Sequence, residues 1–98
     1  MLGLEAVGQI VLEGANTPDE KLGQRVMALL PGGGYAQYVK VHASNVINVP
    51  DSVSLEDAAC FTEVWATAYQ LLFLVAKAQT GETVLVHAAA SGVGTAMI

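Results

Sequence analysis

The last eighteen residues of the chain, 81–98, constrain the fold more than any other stretch. Gly81 supplies a turn, and the β-branched and apolar residues 83–86 predict a short buried strand of a parallel sheet. Residues 88–94 are almost free of large side chains. Small residues at a strand-to-helix turn let a phosphate approach backbone N–H groups at the positive end of a helix dipole. The segment therefore predicts the first strand and the phosphate-binding turn of a dinucleotide-binding fold.

The glycine pattern of this turn is incomplete. The spacing Gly-x-Gly-x-x-Gly puts Ala89 and Ser91 at the first two glycine positions and Gly94 at the third. Gly92 adds backbone freedom inside the turn. A motif of this kind has low specificity, and its structural alternative is a tight turn without a ligand. The strand pattern before the turn and the apolar helix start after it favour nucleotide binding.

Charge and composition exclude several classes of function. The net charge is −5 with four Lys and Arg residues, too few for a basic stripe along a nucleic acid. The apolar run 71–76 is much shorter than the roughly 20 residues of a membrane span, and no signal peptide is recognisable. The single Cys60 fits a reducing compartment. We therefore expect a cytoplasmic protein with no nucleic-acid partner and no membrane attachment.

Residues 1–50 predict a small all-β unit. Short β-branched and apolar segments alternate with Gly and Pro, a pattern typical of barrels and sandwiches. The polar stretch 15–22, which contains Pro18, predicts a hairpin connection. The strands are predicted at 3–13, 23–30, 35–41 and 45–49.

Residues 51–80 predict two helices. Ser54 and Asp57 resemble the ends of a capping box before a short helix that ends at Cys60. Thr62 is expected to cap a second helix that ends near Ala78. This second helix is apolar nearly all round, which predicts an internal helix between layers. Its apolar residues at helical spacing are Trp65, Ala68, Leu72 and Val75, with Tyr69 and Phe73 beside them.

These motifs together resemble the medium-chain dehydrogenase/reductase superfamily, in its zinc-free quinone oxidoreductase branch, and most closely its stress-inducible members. The resemblance covers essentially the whole chain and is carried by MALLPGGG at 27–34 and HAxxSGVGT at 87–95. It implies a mixed α/β protein with a partial GroES-like β-barrel, connecting helices and the first strand and glycine turn of a Rossmann domain. The implied bounds are 1–50, 51–80 and 81–98. The chain is then expected to be an internal part of a longer protein.

The resemblance also implies NADPH as the cofactor and a quinone or another conjugated carbonyl as the hydride acceptor. Catalytic roles are expected for Ser91, as a hydroxyl donor, and for Trp65, which would stack on the acceptor ring. Thr67 would face the nicotinamide. The structural alternatives are a threonine bonded to a preceding carbonyl and a tryptophan anchored in the core at a domain junction. The expected cofactor-binding residues are Thr67, Ala90, Ser91, Gly92, Val93 and Gly94.

No metal site is predicted. Zinc-dependent relatives carry Gly-His-Glu where this chain has Gly-Leu-Glu at 3–5, and leucine cannot ligate a metal. Glu5 then becomes a structural hydrogen-bond acceptor. Cys60 is expected to pack as a small hydrophobe rather than act as a nucleophile, and His42 and His87 lack partners at ligand spacing.

Three functions stay open at this point. The leading hypothesis is a quinone oxidoreductase, followed by an enoyl or alkenal reductase of the same fold, and by a truncated GroES-like module that binds without catalysis. A homodimer is implied for the full-length protein. The sequence does not contain the residues that would choose the acceptor or select NADPH over NADH.

Overall fold

The structure, a computed structural model, describes residues 1–15, 17 and 22–98. It consists of two compact units, Met1–Thr62 and Glu63–Ile98. The polar stretch 15–22, predicted as a hairpin connection, lies largely outside the described residues. The three predicted domain ranges stay a prediction.

The first unit contains an antiparallel sheet. Its strands are β1 Glu5–Gln9, β2 Arg25–Leu29 and β3 Val46–Asn48. Within the described ranges they form a three-stranded sheet in the order β1-β2-β3, with Met27 of β2 opposite both Val7 and Ile47. Ala28 in β2 is buried, as are Leu30 and Val49 directly after β2 and β3. The sheet confirms three of the four predicted strands, in shortened form.

The fourth predicted strand, 35–41, is wrong. The chain bends through this segment, and the side chains of Tyr35 and Tyr38 are 85% and 75% exposed. An alternating pattern becomes a strand only when another strand supplies its ladder hydrogen bonds. No described segment pairs with 35–41. In the described part of the chain the sheet therefore stays open and forms no closed barrel.

Gly3 and Gly34 let the segment that follows β2 cross, in close contact, the residues that precede β1. Gly34 N–H donates to the carbonyl of Gly3 at 2.9 Å, and Leu30 N–H donates to the carbonyl of Leu4 at 2.6 Å. A Cβ on Gly34 would lie 2.7 Å from the carbonyl oxygen of Glu5. The crossing therefore fixes the backbone at the start of β1.

The N-cap of the predicted capping box, Ser54, is confirmed. Ser54 precedes α1 (Leu55–Ala58) in an extended conformation, and its Oγ accepts a hydrogen bond from Asp57 N–H at 3.0 Å. The Ser54 hydroxyl also donates to Asp57 Oδ2 at 2.7 Å. A small oxygen-bearing side chain at this position satisfies a helix N–H group that would otherwise lack an acceptor.

The second predicted helix is present, but it is irregular. A π-helical turn (Phe61–Trp65) leads into α2 (Ala66–Tyr69), and a second π-helical turn follows (Gln70–Val75). We call the whole segment 61–75 the site helix. The expected cap at Thr62 is wrong, because this residue lies inside the first turn and donates its hydroxyl to Glu5 Oε2 instead.

The prediction of a buried site helix is also wrong. Ala68 is 2% exposed, but Trp65 and Val75 are 50% and 66% exposed. The second unit covers part of this surface with α3 (Gly92–Met97), which packs against α2. A helix that is apolar on every side needs neighbours on every side, and the described residues leave Trp65 and Val75 at least half exposed.

The predicted strand 83–86 is wrong as well. None of these residues belongs to a strand, and Val84 and Leu85 are 48% and 80% exposed. A parallel strand requires neighbours for its ladder, and none of the described segments provides one. Of the expected start of a Rossmann domain, the described residues form the turn and α3 but not the strand. No helix formed by the described residues has the length and apolar character needed to cross a membrane.

Replacing Lys77 with glycine is expected to stabilise the chain by about 1 kcal/mol, since a left-handed residue with a Cβ carries a penalty of this order. Lys77 has a φ of 55° directly after the site helix, where glycine is common. Urea unfolding of Lys77→Gly beside Lys77→Ala measures the effect. Alanine keeps the Cβ, so stabilisation by both variants would contradict the backbone explanation and indicate a charge effect.

Candidate functional site

The small-residue segment after residue 87 forms a tight turn that leads into α3, as its composition predicts. Ser91 N–H donates to the carbonyl of Ala88 at 2.9 Å, and Ala88 adopts a φ of 52°. Ser91 is the N-cap of α3, with its Oγ accepting from Gly94 N–H at 3.1 Å. Ser91 therefore has a structural role whatever else it binds.

Gly94 is required by packing inside this turn. A Cβ at this position would lie 2.4 Å from the carbonyl oxygen of Ala88 and 2.7 Å from Cα of Ala89. Both neighbours are backbone atoms and cannot rotate away. Gly92 differs, because its Cβ would meet a side-chain atom, Val64 Cγ2, at 3.3 Å. The close approach of α3 to the turn therefore depends on Gly94.

The turn leaves backbone donors available for an anion. Gly92 and Val93 occupy the first two positions of α3, and the N–H groups at such positions have no acceptor within their own helix. Residue 92 is exposed and residue 93 half-buried. Residues 78–98 contain no Lys or Arg. Recognition of an anion here would rest on amide donors and on the Ser91 hydroxyl, whose hydrogen meets no acceptor among the described residues.

Thr67 and Trp65 lie in the same unit as this turn, on the site helix. Thr67 is half-buried, and no residue of the described ranges bonds its Oγ1, so the alternative of a bond to a preceding carbonyl is not observed. Trp65 is half-exposed and makes a further polar or ring interaction. Its exposed surface continues along the helix to Tyr69 and Phe73, whose ring centroids lie 5.0 Å apart. The cofactor and catalytic roles of these residues stay predictions.

Glu5 and Thr62 form a contact that sequence reasoning missed. Thr62 Oγ1 donates to Glu5 Oε2 at 2.9 Å in a partly buried position. The two residues are 57 positions apart, so no local spacing signals the pair. The interpretation of Glu5 as a structural acceptor is confirmed.

Two of the residues considered for metal or nucleophilic chemistry, His42 and Cys60, have structural partners. His42 Nδ1 lies 2.8 Å from Ser44 Oγ and accepts from Ser44 N–H at the start of a 3-10 turn (Ala43–Asn45). The Cys60 thiol donates to the carbonyl of Asp57 at 3.1 Å. Across the described ranges, no three His, Cys, Asp or Glu side chains are grouped as a metal site requires.

The chain is similar to parts of much longer enzymes. No protein-family model matches it. The squalestatin tetraketide synthase clz2 of Cochliobolus lunatus is 43% identical over 100 residues, which cover 100% of this chain and 4% of the synthase. The human synaptic vesicle membrane protein VAT-1 homolog is 36% identical over 96 residues, which cover 98% of this chain and 24% of that protein. The chain thus spans less than a quarter of either relative.

Solved structures of reductases share its fold. The JamJ enoyl reductase matches with a TM-score of 0.88 and 34% identity, over 98% of this chain and 29% of that structure. The quinone oxidoreductase of Thermus thermophilus matches with a TM-score of 0.68 and 44% identity, over 76% and 25%. By name these two structures are an enoyl reductase and a quinone oxidoreductase, which are enzymes of the medium-chain dehydrogenase/reductase type. A third structure, mycobacterial Rv1454c in complex with NADPH, has a TM-score of 0.87 and 35% identity, over 97% of this chain and 30% of that structure.

Proposed function

We propose that this chain carries the phosphate-binding turn and the nicotinamide-facing helix of an NADPH-dependent enoyl reductase. The observation that carries the proposal is the Ser91-capped turn, in which the missing Cβ of Gly94 brings α3 against Ala88. This arrangement leaves the N–H groups of Gly92 and Val93 without an acceptor in their own helix, as donors for a ligand. It fits a cofactor diphosphate.

Most of the expected site residues then have a defined task. The N–H groups of Gly92 and Val93 donate to phosphate oxygens, and the Ser91 hydroxyl adds a third donor. The unbonded Thr67 hydroxyl donates to the nicotinamide carboxamide and orients the ring. Trp65 presents an exposed aromatic face for a planar conjugated acceptor. The bound cofactor supplies the hydride, and the protein supplies position and hydrogen bonds.

Two observations bear on the acceptor. A fungal tetraketide synthase and the JamJ enoyl reductase both align with nearly the whole chain, which favours an α,β-unsaturated thioester. The Thermus quinone oxidoreductase has the higher identity among the structures compared, but over 76% of the chain. Reduction of a quinone, the leading hypothesis from sequence, is therefore our second candidate. Zinc independence and a homodimer remain part of the proposal.

Acceptor preference is tested by NADPH oxidation with the complete protein. We expect kcat/KM for a 2-enoyl thioester to exceed that for ortho- and para-quinones by about tenfold, equivalent to roughly 1.4 kcal/mol. Replacement of Thr67 with valine should lower kcat/KM by a similar factor, because one oriented hydrogen bond to the cofactor is lost. Thr17→Val is the matched control, since that hydroxyl donates locally to the carbonyl of Gly14. Turnover of quinones alone would select the second candidate. If the complete protein neither reduces an acceptor nor binds NADPH, the remaining hypothesis is a GroES-like module that binds without catalysis.

A further inference from the structure

The bond between Glu5 and Thr62 connects β1 to the first turn of the site helix. A hydroxyl that donates to a carboxylate forms a charge-assisted hydrogen bond, which is stronger than a neutral one. Both side chains are half-buried, so water competes less for this bond than at an open surface. Glu5 also makes a further interaction.

The acceptor side of this bond is rigid. Glu5 pairs with Leu29 across the sheet, and its carbonyl oxygen lies against the backbone of Gly34 in the glycine crossing. On the donor side, Thr62 is β-branched and therefore restricted at χ1. A hydrogen bond between two restricted groups limits the movement of the two chain segments that carry them. Thr62 belongs to the same helical turn as Trp65.

We propose that Glu5 and Thr62 are positioning residues for the reductase site. Their hydrogen bond sets the first turn of the site helix and thereby the position of Trp65, which belongs to that turn. Neither residue touches cofactor or acceptor in this scheme; both act through the helix. This inference rests on the proposed function for its catalytic consequence, but not for the structural link.

Steady-state kinetics of the complete protein with NADPH and a 2-enoyl thioester test the catalytic consequence. Thr62→Val, which keeps the shape and removes the donor, should lower kcat about tenfold with less than a twofold change in KM for NADPH. Thr62→Ser restores the donor and should recover kcat to within about threefold. Thr17→Val is the control, because it also removes a threonine hydroxyl, but one that bonds to the nearby carbonyl of Gly14. A wild-type kcat in Thr62→Val, or equal damage by Ser and Val, would overturn the proposal.

A double-mutant cycle and a fluorescence measurement complete the test. Glu5→Ala combined with Thr62→Val should be no worse than the more severe single variant, because both remove one bond; additive losses would overturn the link. Trp65 is the one tryptophan of the 98 residues, and its emission maximum should shift in Thr62→Val and not in Thr62→Ser. If the wild type reduces no acceptor but this shift is seen, the proposed function fails and the positioning link stands. An unchanged emission maximum overturns the link.

Discussion

Gly94→Ala is expected to destabilise the chain by about 3 kcal/mol and to abolish NADPH binding by the complete protein. The new Cβ would overlap the carbonyl oxygen of Ala88 at 2.4 Å. Because that neighbour is backbone, the overlap is relieved only by moving α3 or the turn, and overpacking of this kind costs about 1–3 kcal/mol or more. The same movement displaces the amide donors of Gly92 and Val93. Urea unfolding and an NADPH titration measure the two effects.

Gly92→Ala is the matched control for this prediction. Its Cβ would meet Val64 Cγ2 at 3.3 Å, and a valine methyl group can shift by a few tenths of an ångström. Alanine is also the better helix former, by roughly 1 kcal/mol in a helix interior. We therefore expect a change in stability below about 1 kcal/mol. Equal damage by the two variants would show that glycine is needed for general backbone freedom and would contradict the packing explanation.

Gly34→Ala is expected to destabilise the first unit by a comparable amount, about 3 kcal/mol. The added Cβ would lie 2.7 Å from the carbonyl oxygen of Glu5, which is fixed in β1. The crossing cannot open without breaking the hydrogen bonds from Leu30 and Gly34 to the residues before β1. Thermal unfolding followed by circular dichroism measures the loss.

Gly8→Ala distinguishes a steric effect from loss of glycine in general. No atom of the described residues lies within 4 Å of a Cβ built on Gly8, the fourth residue of β1. Alanine loses less conformational entropy on folding, so we expect stabilisation by about 0.5 kcal/mol. If Gly34→Ala were tolerated as well as Gly8→Ala, the close crossing would not exist in solution.

Local sequence signals predicted the elements whose contacts are local. The N-cap at Ser54 and the small-residue turn before α3 require partners only a few residues away. The strands at β1, β2 and β3 follow from β-branched segments that pair within the same short unit. Such contacts are set by propensity and spacing, which one sequence displays.

The wrong predictions concern segments whose structure depends on contacts with residues far away in the sequence. The segments 35–41 and 83–86 have strand patterns, but the described residues supply no neighbouring strand for either. The site helix has the composition of an internal helix and exposes half of Trp65. The Glu5–Thr62 bond and the clash distances at Gly94 follow from three-dimensional packing and leave no periodic signal in the sequence.

The direct measurement of cofactor binding at the turn is an amide chemical-shift titration. With the complete protein labelled with ¹⁵N, addition of NADPH is expected to shift the N–H resonances of Gly92 and Val93 more than those of the first unit, because these amides donate to the diphosphate. The resonance of Gly8, in β1, serves as the internal reference. Saturable NADPH binding that leaves the Gly92 and Val93 amides unchanged would contradict the account.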